Sequence, residues 1–484
     1  MRNIVQRTLS SKKTRLVLFC LHIVLMALGF VVFGDRPSGD QATYIRLAEG
    51  LEHGTFSYWN GIMEPPPLET YRTHGYPVFL WLVRHDLTAA RVAQNVLLLV
   101  NLLLLLQWVG KRPNGLFAQN LLLLLLLPQF QLLHYAHEIL PEAVMVPLCS
   151  AVAVVGMAPP SRRRSVMLGM LIALAWWVRP VLLLFPLFVL LADLVLTRGA
   201  QRAAALRANL TTLTLFAVFA PLPFALWNLG AHGVFKPVPI SGSSMISNMG
   251  FWQHRLPGYG SMHYFHYNYF GREFFPWVND DEAAMHYARY NEQWERIEAA
   301  AIPFMTASDK TNIPIMEASY PDLFVTRSAR LTVALDSLIA RETMASIKAE
   351  PGFYLATRLY TAARLWITNI NRPMERMVFR PEPGVRPVVG TANGIKGWLG
   401  MLAPFLLSFV TFGIGGIFLV VCVIRYRQQW HERRYALFLV GYIWVIHIPM
   451  AIQSRYTVPV HGVVIALIAV AAVEQFLSRQ GRTA

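Results

Sequence analysis

Apolar residues in this chain come in long runs separated by short polar stretches. With about 20 apolar residues taken as one crossing of a bilayer core, the runs near 16–33, 89–109, 116–133, 143–158, 209–228, 397–424, 435–451 and 459–477 each predict a membrane-spanning helix. Arg179-Pro180 divides the apolar stretch 166–196 and predicts two short spans, 166–178 and 181–196, joined by an outer turn. At 1.5 Å per residue the first of these covers about 20 Å, less than a bilayer core, so a pair that dips short or lies inside the bundle stays open beside two full crossings. The apolar segment 75–82 is far too short to span and predicts a helix lying at, or dipping into, the membrane surface. The loop 229–396 has no run of span length, but its patterning predicts helices over 281–301, 336–349 and 351–370.

The expected architecture is an all-α polytopic membrane protein of about ten transmembrane helices, with outer-face juxtamembrane helices and a small, mostly helical periplasmic cap. It divides into an N-terminal transmembrane core, 1–228, with its first external loop at 34–88; the loop or cap 229–396; and C-terminal transmembrane helices over 397–484.

Composition agrees and sets an orientation. The 484 residues are 55% hydrophobic and 14% charged, with a mean hydropathy of +0.40, too apolar for a soluble enzyme. The net charge is +16. The basic residues sit beside apolar runs instead of interleaving with aromatics across one domain, which argues for membrane orientation and against nucleic acid as a partner. Ten crossings put Lys111-Arg112, Arg162 to Arg164, Arg198 to Arg207, Arg425 to Arg434, Arg479 and Arg482 on the same side as the N-terminus. By the positive-inside rule both termini are then cytoplasmic, and 34–88, 134–142, 229–396 and 452–458 are external. The first run follows Arg2, Arg7, Lys12, Lys13 and Arg15 as a signal peptide would, but no small-residue cleavage signature follows, so a retained anchor is expected. Cys20, Cys149 and Cys422 all lie in apolar runs without CxxC spacing, and neither a disulfide framework nor a thiolate metal site is indicated.

Candidate chemistry concentrates between the first span and the next apolar series. Asp35, Arg36, Asp40, Glu64, Glu69, Arg72 and His74 all fall within 33–77. Ionisable groups beside membrane-spanning sequence usually have a functional reason to be there. Chemistry at the membrane surface is one reading of this loop, and a solvated connection is the other. In the large loop, His263 and His266 lie in HYFHYNYFGREFFPW with no acidic or thiol partner nearby, a pattern of aromatic surface packing more than of metal ligation.

Several local patterns resemble those of the GT-C type membrane glycosyltransferases, the superfamily that includes the protein O-mannosyltransferases and the lipid A aminoarabinose transferases. They are Asp40 in DQATYIRLAEGL, then YRTHGYPVFLWL at 71–82, ILPEAVMVPL at 139–148, ALAWWVRPVLLLFPL at 173–187, APLPFALWNLGAHGVFKPVPIS at 220–241 and QSRYTVPVHGVV at 453–464. Together they spread over nearly the whole chain in the expected order. The resemblance implies transfer of a sugar from a polyprenyl-phosphate donor to an acceptor at the periplasmic face of a bacterial inner membrane. Protein-mannosyltransferase relatives carry an adjacent Asp-Glu pair in the first loop, whereas this chain has Asp35-Arg36 and then Asp40; that departure favours a lipid or polysaccharide acceptor over a protein. A transporter or flippase for lipid-linked saccharides and an O-antigen ligase or polymerase are the competing classes.

The resemblance assigns roles to residues. A hydroxyl acceptor needs a carboxylate to take its proton, and Asp40 is the expected catalytic base; its alternative role is to cap the helix predicted over 41–51. The leaving lipid phosphate needs fixed cations, for which Arg72, Arg455 and Arg179 are the candidates. Arg72 and Arg455 are equally readable as interfacial arginines that snorkel to headgroups. Glu142 and Glu138, in HEILPEAV, join Glu69, His74 and Tyr456 as acceptor- or sugar-binding candidates. No cofactor is expected. A divalent metal held through His134 or His137 and Glu138 is the alternative, because some relatives use one.

Overall fold

The structure, a computed structural model, describes residues 7–33, 40–57, 68–69, 72–159, 161–197, 199–238, 295–319, 327–349, 351–367, 406–426, 430–449 and 454–480. Asp35, Arg36, Glu64, His263 and His266 lie outside them. Helices make up the described architecture, and its one extended pairing is a bridge between Ser57 and Leu68.

The N-terminal half holds α1 (Lys12–Val32), α2 (Asp40–Glu52), α3 (Gly75–Leu82), α4 (Leu87–Gly110), α5 (Gly115–Leu126), α6 (Phe130–His137), α7 (Glu142–Gly156), α8 (Arg162–Val178), α9 (Phe185–Leu196), α10 (Ala200–Phe219) and α11 (Pro221–His232). The loop contributes α12 (Ala307–Ser319), α13 (Ala329–Ala349) and α14 (Pro351–Arg364). After a π-helical turn at Phe409–Ile414 come α15 (Gly415–Arg425), α16 (Arg434–His447) and α17 (Val458–Gln480). Helices therefore stand at every place where a span is expected, and α3, α13 and α14 stand where outer-face helices are expected.

Among the described residues, five segments are long and apolar enough to cross a bilayer on their own: Lys12–Val32, Leu87–Gly110, Arg202–His232, Leu406–Arg425 and Val458–Phe476. The expected single span over 116–133 is instead α5 and α6, bent by 67°. Pro128 lies at the bend: it has no N–H to donate, so the hydrogen-bond ladder of α5 is not carried past Leu127, which itself keeps helical geometry. Counting the bent pair as one span gives six. Glu142–Gly156, Pro180–Leu196 and Arg434–His447 are apolar but shorter, covering roughly 21–26 Å at 1.5 Å per residue. The remaining helix, α8, opens on Arg162, Arg163 and Arg164.

Local chemistry sets the ends that matter for the site. Asp86 caps α4 by accepting from the Thr88 and Ala89 N–H groups. Ser161 caps α8 through the Arg164 N–H. At its other end α8 stops at Val178 because the next residue, Arg179, precedes Pro180 and is extended at φ −155°, ψ 126°. Gly75 opens α3 against that same end of α8, where a Cβ would come within 2.5 Å of the Trp177 backbone.

Burial separates an inner helix from an outer one. In α17, 83% of the apolar window is buried, against 17% in α1. α17 packs against α4, α5 and α7, and its buried Val463, Ile465, Ala466, Leu467, Ala469 and Val470 belong to the main core. α1 leaves Leu16, Val17, Val24, Leu28 and Val31 exposed, as expected of a helix whose outer face meets lipid tails.

Candidate active site at one end of the bundle

The ends of α1, α6, α8 and α16 and the starts of α2, α7 and α17 gather at one end of the bundle. Asp40 is the first residue of α2. Its Oδ1 accepts from Arg72 Nη2 at 2.8 Å, and its Oδ2 accepts from Arg455 Nη2 at 2.9 Å. Arg72 precedes α3 in the return of the first loop, and Arg455 lies in the short 3-10 turn Ser454–Tyr456 before α17.

A second carboxylate continues the chain of charges. Glu142, the first residue of α7, has a side chain only 1% exposed. Its Oε1 accepts from Arg179 Nη1 at 2.7 Å and stands 3.7 Å from Arg455 Nε. The extended backbone that Pro180 imposes on Arg179 lets this side chain leave the axis of α8 and reach α7. Among the described residues Glu142 Oε2 has no hydrogen-bond partner. Tyr456 lies beneath two of the guanidinium groups, with Arg179 5.1 Å and Arg455 6.0 Å from its ring centre, and stacks on His447. Aromatic faces suit partly desolvated guanidinium groups.

Three cations and two carboxylates thus alternate from Arg72 through Asp40, Arg455 and Glu142 to Arg179. Glu69 flanks the series: its Oε1 accepts from the Arg72 N–H at 3.0 Å, and its Oε2 is 3.8 Å from Arg72 Nη1. Burial pushes the Asp40 carboxyl up, but Arg455 and Arg72 outweigh it and hold the group below the usual carboxylate range. Asp40 is therefore ionised at neutral pH, with both oxygens engaged.

Tyr44, one turn beyond Asp40 on α2, places its ring 5.4 Å from the Arg72 guanidinium and packs edge-on to Tyr76. Burial pushes its hydroxyl up to about 12, so it stays protonated. The i, i+4 spacing from Asp40 is the one sequence signal that points to it.

The other candidates are placed differently. His74 stacks on Phe56 at 3.7 Å and meets Phe224 and Trp227 at 4.7 Å each. Burial, aided by His232, pushes it down to about 4, so it is neutral at physiological pH. Glu138 accepts from Gln41 Nε2 and lies 3.6 Å from His134 Nδ1. No group of three His, Cys, Asp or Glu side chains converges among the described residues. Gln41, which fastens α2 to the turn before α7, carries no sequence signal of its role.

No family model matches this chain, and no curated protein matches it. Among solved structures it is similar to the archaeal oligosaccharyltransferase AglB from Archaeoglobus fulgidus, determined in complex with an inhibitory peptide and a dolichol-phosphate. The TM-score is 0.43 and the identity 14%, over 94% of this chain and 50% of that one. The chain thus spans half the length of the structure it matches.

Proposed function

We propose that this protein is a membrane glycosyltransferase that moves a sugar from a polyprenyl-phosphate donor to a lipid or polysaccharide acceptor. The reaction takes place at the periplasmic face of a bacterial inner membrane, with both termini cytoplasmic. The observation that carries this reading is the convergence on Asp40 of Arg72 and Arg455, 32 and 415 residues away in sequence. A carboxylate held among arginines at a membrane surface joins the two requirements of the reaction, a proton acceptor and a receptor for phosphate. The sequence patterns shared with the GT-C enzymes supply the reaction class.

The donor phosphodiester enters as an anion and competes with Asp40 for Arg72 and Arg455. As these guanidinium groups turn to phosphate, Asp40 loses the partners that suppress its basicity. The acceptor hydroxyl then gives its proton to Asp40 while its oxygen bonds to the anomeric carbon from the face opposite the phosphate. The bond between that carbon and the phosphate oxygen breaks, its electron pair leaves with the oxygen, and the configuration inverts. The phosphate gains one negative charge as Asp40 becomes neutral, and Arg72, Arg455 and Arg179 stabilise it as it forms.

The test is transfer by the purified protein from a radiolabelled polyprenyl-phosphate sugar, with the anomeric configuration of the product determined. Transfer with inversion is expected. Movement of the lipid-linked saccharide across a vesicle membrane without transfer indicates a flippase, and retained configuration removes the single-displacement mechanism.

A further inference from the structure

Gln41 follows the proposed base in sequence, and its side-chain amide is used at both ends. Gln41 Nε2 donates to Glu138 Oε2, while the Ile139 N–H donates to Gln41 Oε1 at 3.0 Å. The first turn of α2 is therefore fastened to the turn at 138–139. That turn is itself pinned: Gln94 Nε2 donates to the carbonyls of Ala136 at 3.1 Å and Glu138 at 2.7 Å, and Gln94 in turn accepts from the Tyr76 hydroxyl at 2.7 Å. Four residues after Glu138, Glu142 opens α7 and takes Arg179 and, at longer range, Arg455. One amide thus ties the start of α2, with Asp40, to the turn that leads into Glu142, the carboxylate that shares Arg455 with Asp40.

We infer that Gln41 and Glu138 are a positioning pair for Asp40, acting through it and not on the substrate. The inference rests on the transferase reading above. Glu138 is 7% exposed; its Oε2 accepts from Gln41, and its Oε1 lies 3.6 Å from His134 Nδ1. The base must lie within hydrogen-bond reach of the attacking hydroxyl, and a misplacement of about 1 Å costs on the order of 100-fold. Asp40 stands in the first turn of α2, and the tie from the next residue holds it to the turn before α7.

The pair is tested by steady-state kinetics on Gln41→Ala, Glu138→Ala, Glu138→Gln and the Gln41→Ala/Glu138→Ala double variant, with Gln41→Asn as the mildest change. Gln41→Ala and Glu138→Ala are expected each to lower kcat by roughly 10- to 100-fold while moving the donor KM by less than about 3-fold. The double variant is expected to be no worse than the poorer single one, since both break one link. Glu138→Gln keeps an oxygen that accepts from Gln41 and is expected to retain kcat within about 3-fold. Gln41→Asn, too short to reach both partners, is expected to lie between wild type and Gln41→Ala and settles the case if Glu138→Ala does not fold.

Wild-type kcat in folded Gln41→Ala overturns the inference, as do additive losses in the double variant. A loss in Glu138→Gln as deep as in Glu138→Ala also overturns it, because the charge and not the tie is then what counts. If the wild type transfers nothing, the transferase reading fails and this inference with it. If the wild type transfers and Gln41→Ala matches it, only this inference fails.

Discussion

The two ends of the helix bundle use arginine in opposite ways. At the end away from Asp40, three arginines each have a settled partner. Arg433 donates to both oxygens of Glu474. Arg434 Nε lies 2.9 Å from Asp193, which also accepts from Asn209. Arg164 binds the Gly156 carbonyl through two nitrogens and lies over the Tyr435 ring. At the Asp40 end, two arginines divide one carboxylate, and Arg455 and Arg179 both face a single oxygen of Glu142. The first arrangement is closed, because a new anion would displace a partner that has nowhere else to go. The second is a shared series in which an entering phosphate can take guanidinium groups while Glu142 and Glu69 keep theirs neutralised. Guanidinium forks of one kind therefore build a fastening at one end and, on the proposed function, an anion receptor at the other, where carboxylates are shared between arginines.

The sharpest way to break this comparison is to remove one charged partner at each end. Asp40→Asn keeps the shape and an oxygen for Arg72 or Arg455 but no basic carboxylate, and transfer should fall by about 100- to 10,000-fold with the fold and donor binding retained. Arg434→Met at the other end leaves Asp193 buried without its cation and should cost on the order of 3 kcal/mol of stability, with turnover per folded molecule unchanged. Denaturation and transfer assays on the two variants check both halves. Full activity in folded Asp40→Asn, or a catalytic defect in folded Arg434→Met, would erase the distinction.

Arg72→Ala should raise the donor KM by roughly 10- to 100-fold, and Arg72→Lys should recover only part of it, since lysine keeps the charge without the planar fork. An unchanged donor dependence would assign Arg72 to the interface and leave Arg455 and Arg179 as the phosphate ligands.

The pH profile sharpens the idea of a shared series. In the resting enzyme Arg455 and Arg72 hold Asp40 below the usual carboxylate range, so kcat/KM for the donor should stay flat until the pH falls below that range. Once donor has drawn the arginines away, Asp40 should titrate higher, and the acid limb of kcat should lie above that of kcat/KM. Coincident limbs would mean that the arginines never release the base. The same shift has a stability consequence of fixed sign. A depressed folded pKa gives stabilisation that is complete above the unfolded carboxylate value and is lost as pH falls through the folded one. Stability that rises on acidification through that window would contradict the ion pairs of Asp40.

Orientation is the smallest effect to measure and bears on which end faces out. In a variant lacking Cys20, Cys149 and Cys422, a cysteine at Ser337 should react with an impermeant thiol reagent in intact cells, and one at Ser161 should not. Labelling of both would show a misplaced crossing between them.

Much of the scaffold is legible in the chain because hydropathy and helix breaking act locally. Runs of apolar residues, the stop at Arg179-Pro180 and the short helix at 75–82 each follow from a residue and its neighbours. The proline at 128 was equally local, yet the 67° bend there between α5 and α6 does not follow from an apolar count, since hydropathy gives no direction to the chain beyond a break. Asp40, Arg72, Arg179 and Arg455 stand out in sequence as ionisable residues beside apolar runs. Their partnership does not: which arginine meets which carboxylate depends on how α2, α7, α8 and α17 pack. That packing spends Glu142 on Arg179, encloses His74 among Phe56, Phe224 and Trp227, and turns Gln41 onto Glu138. Local patterning thus determined where this chain forms helices and which charged residues lie near their ends. Tertiary structure alone decided the pairing of those charges, because an ion pair spanning 415 residues is set by the approach of two helix ends and leaves no periodicity along the chain.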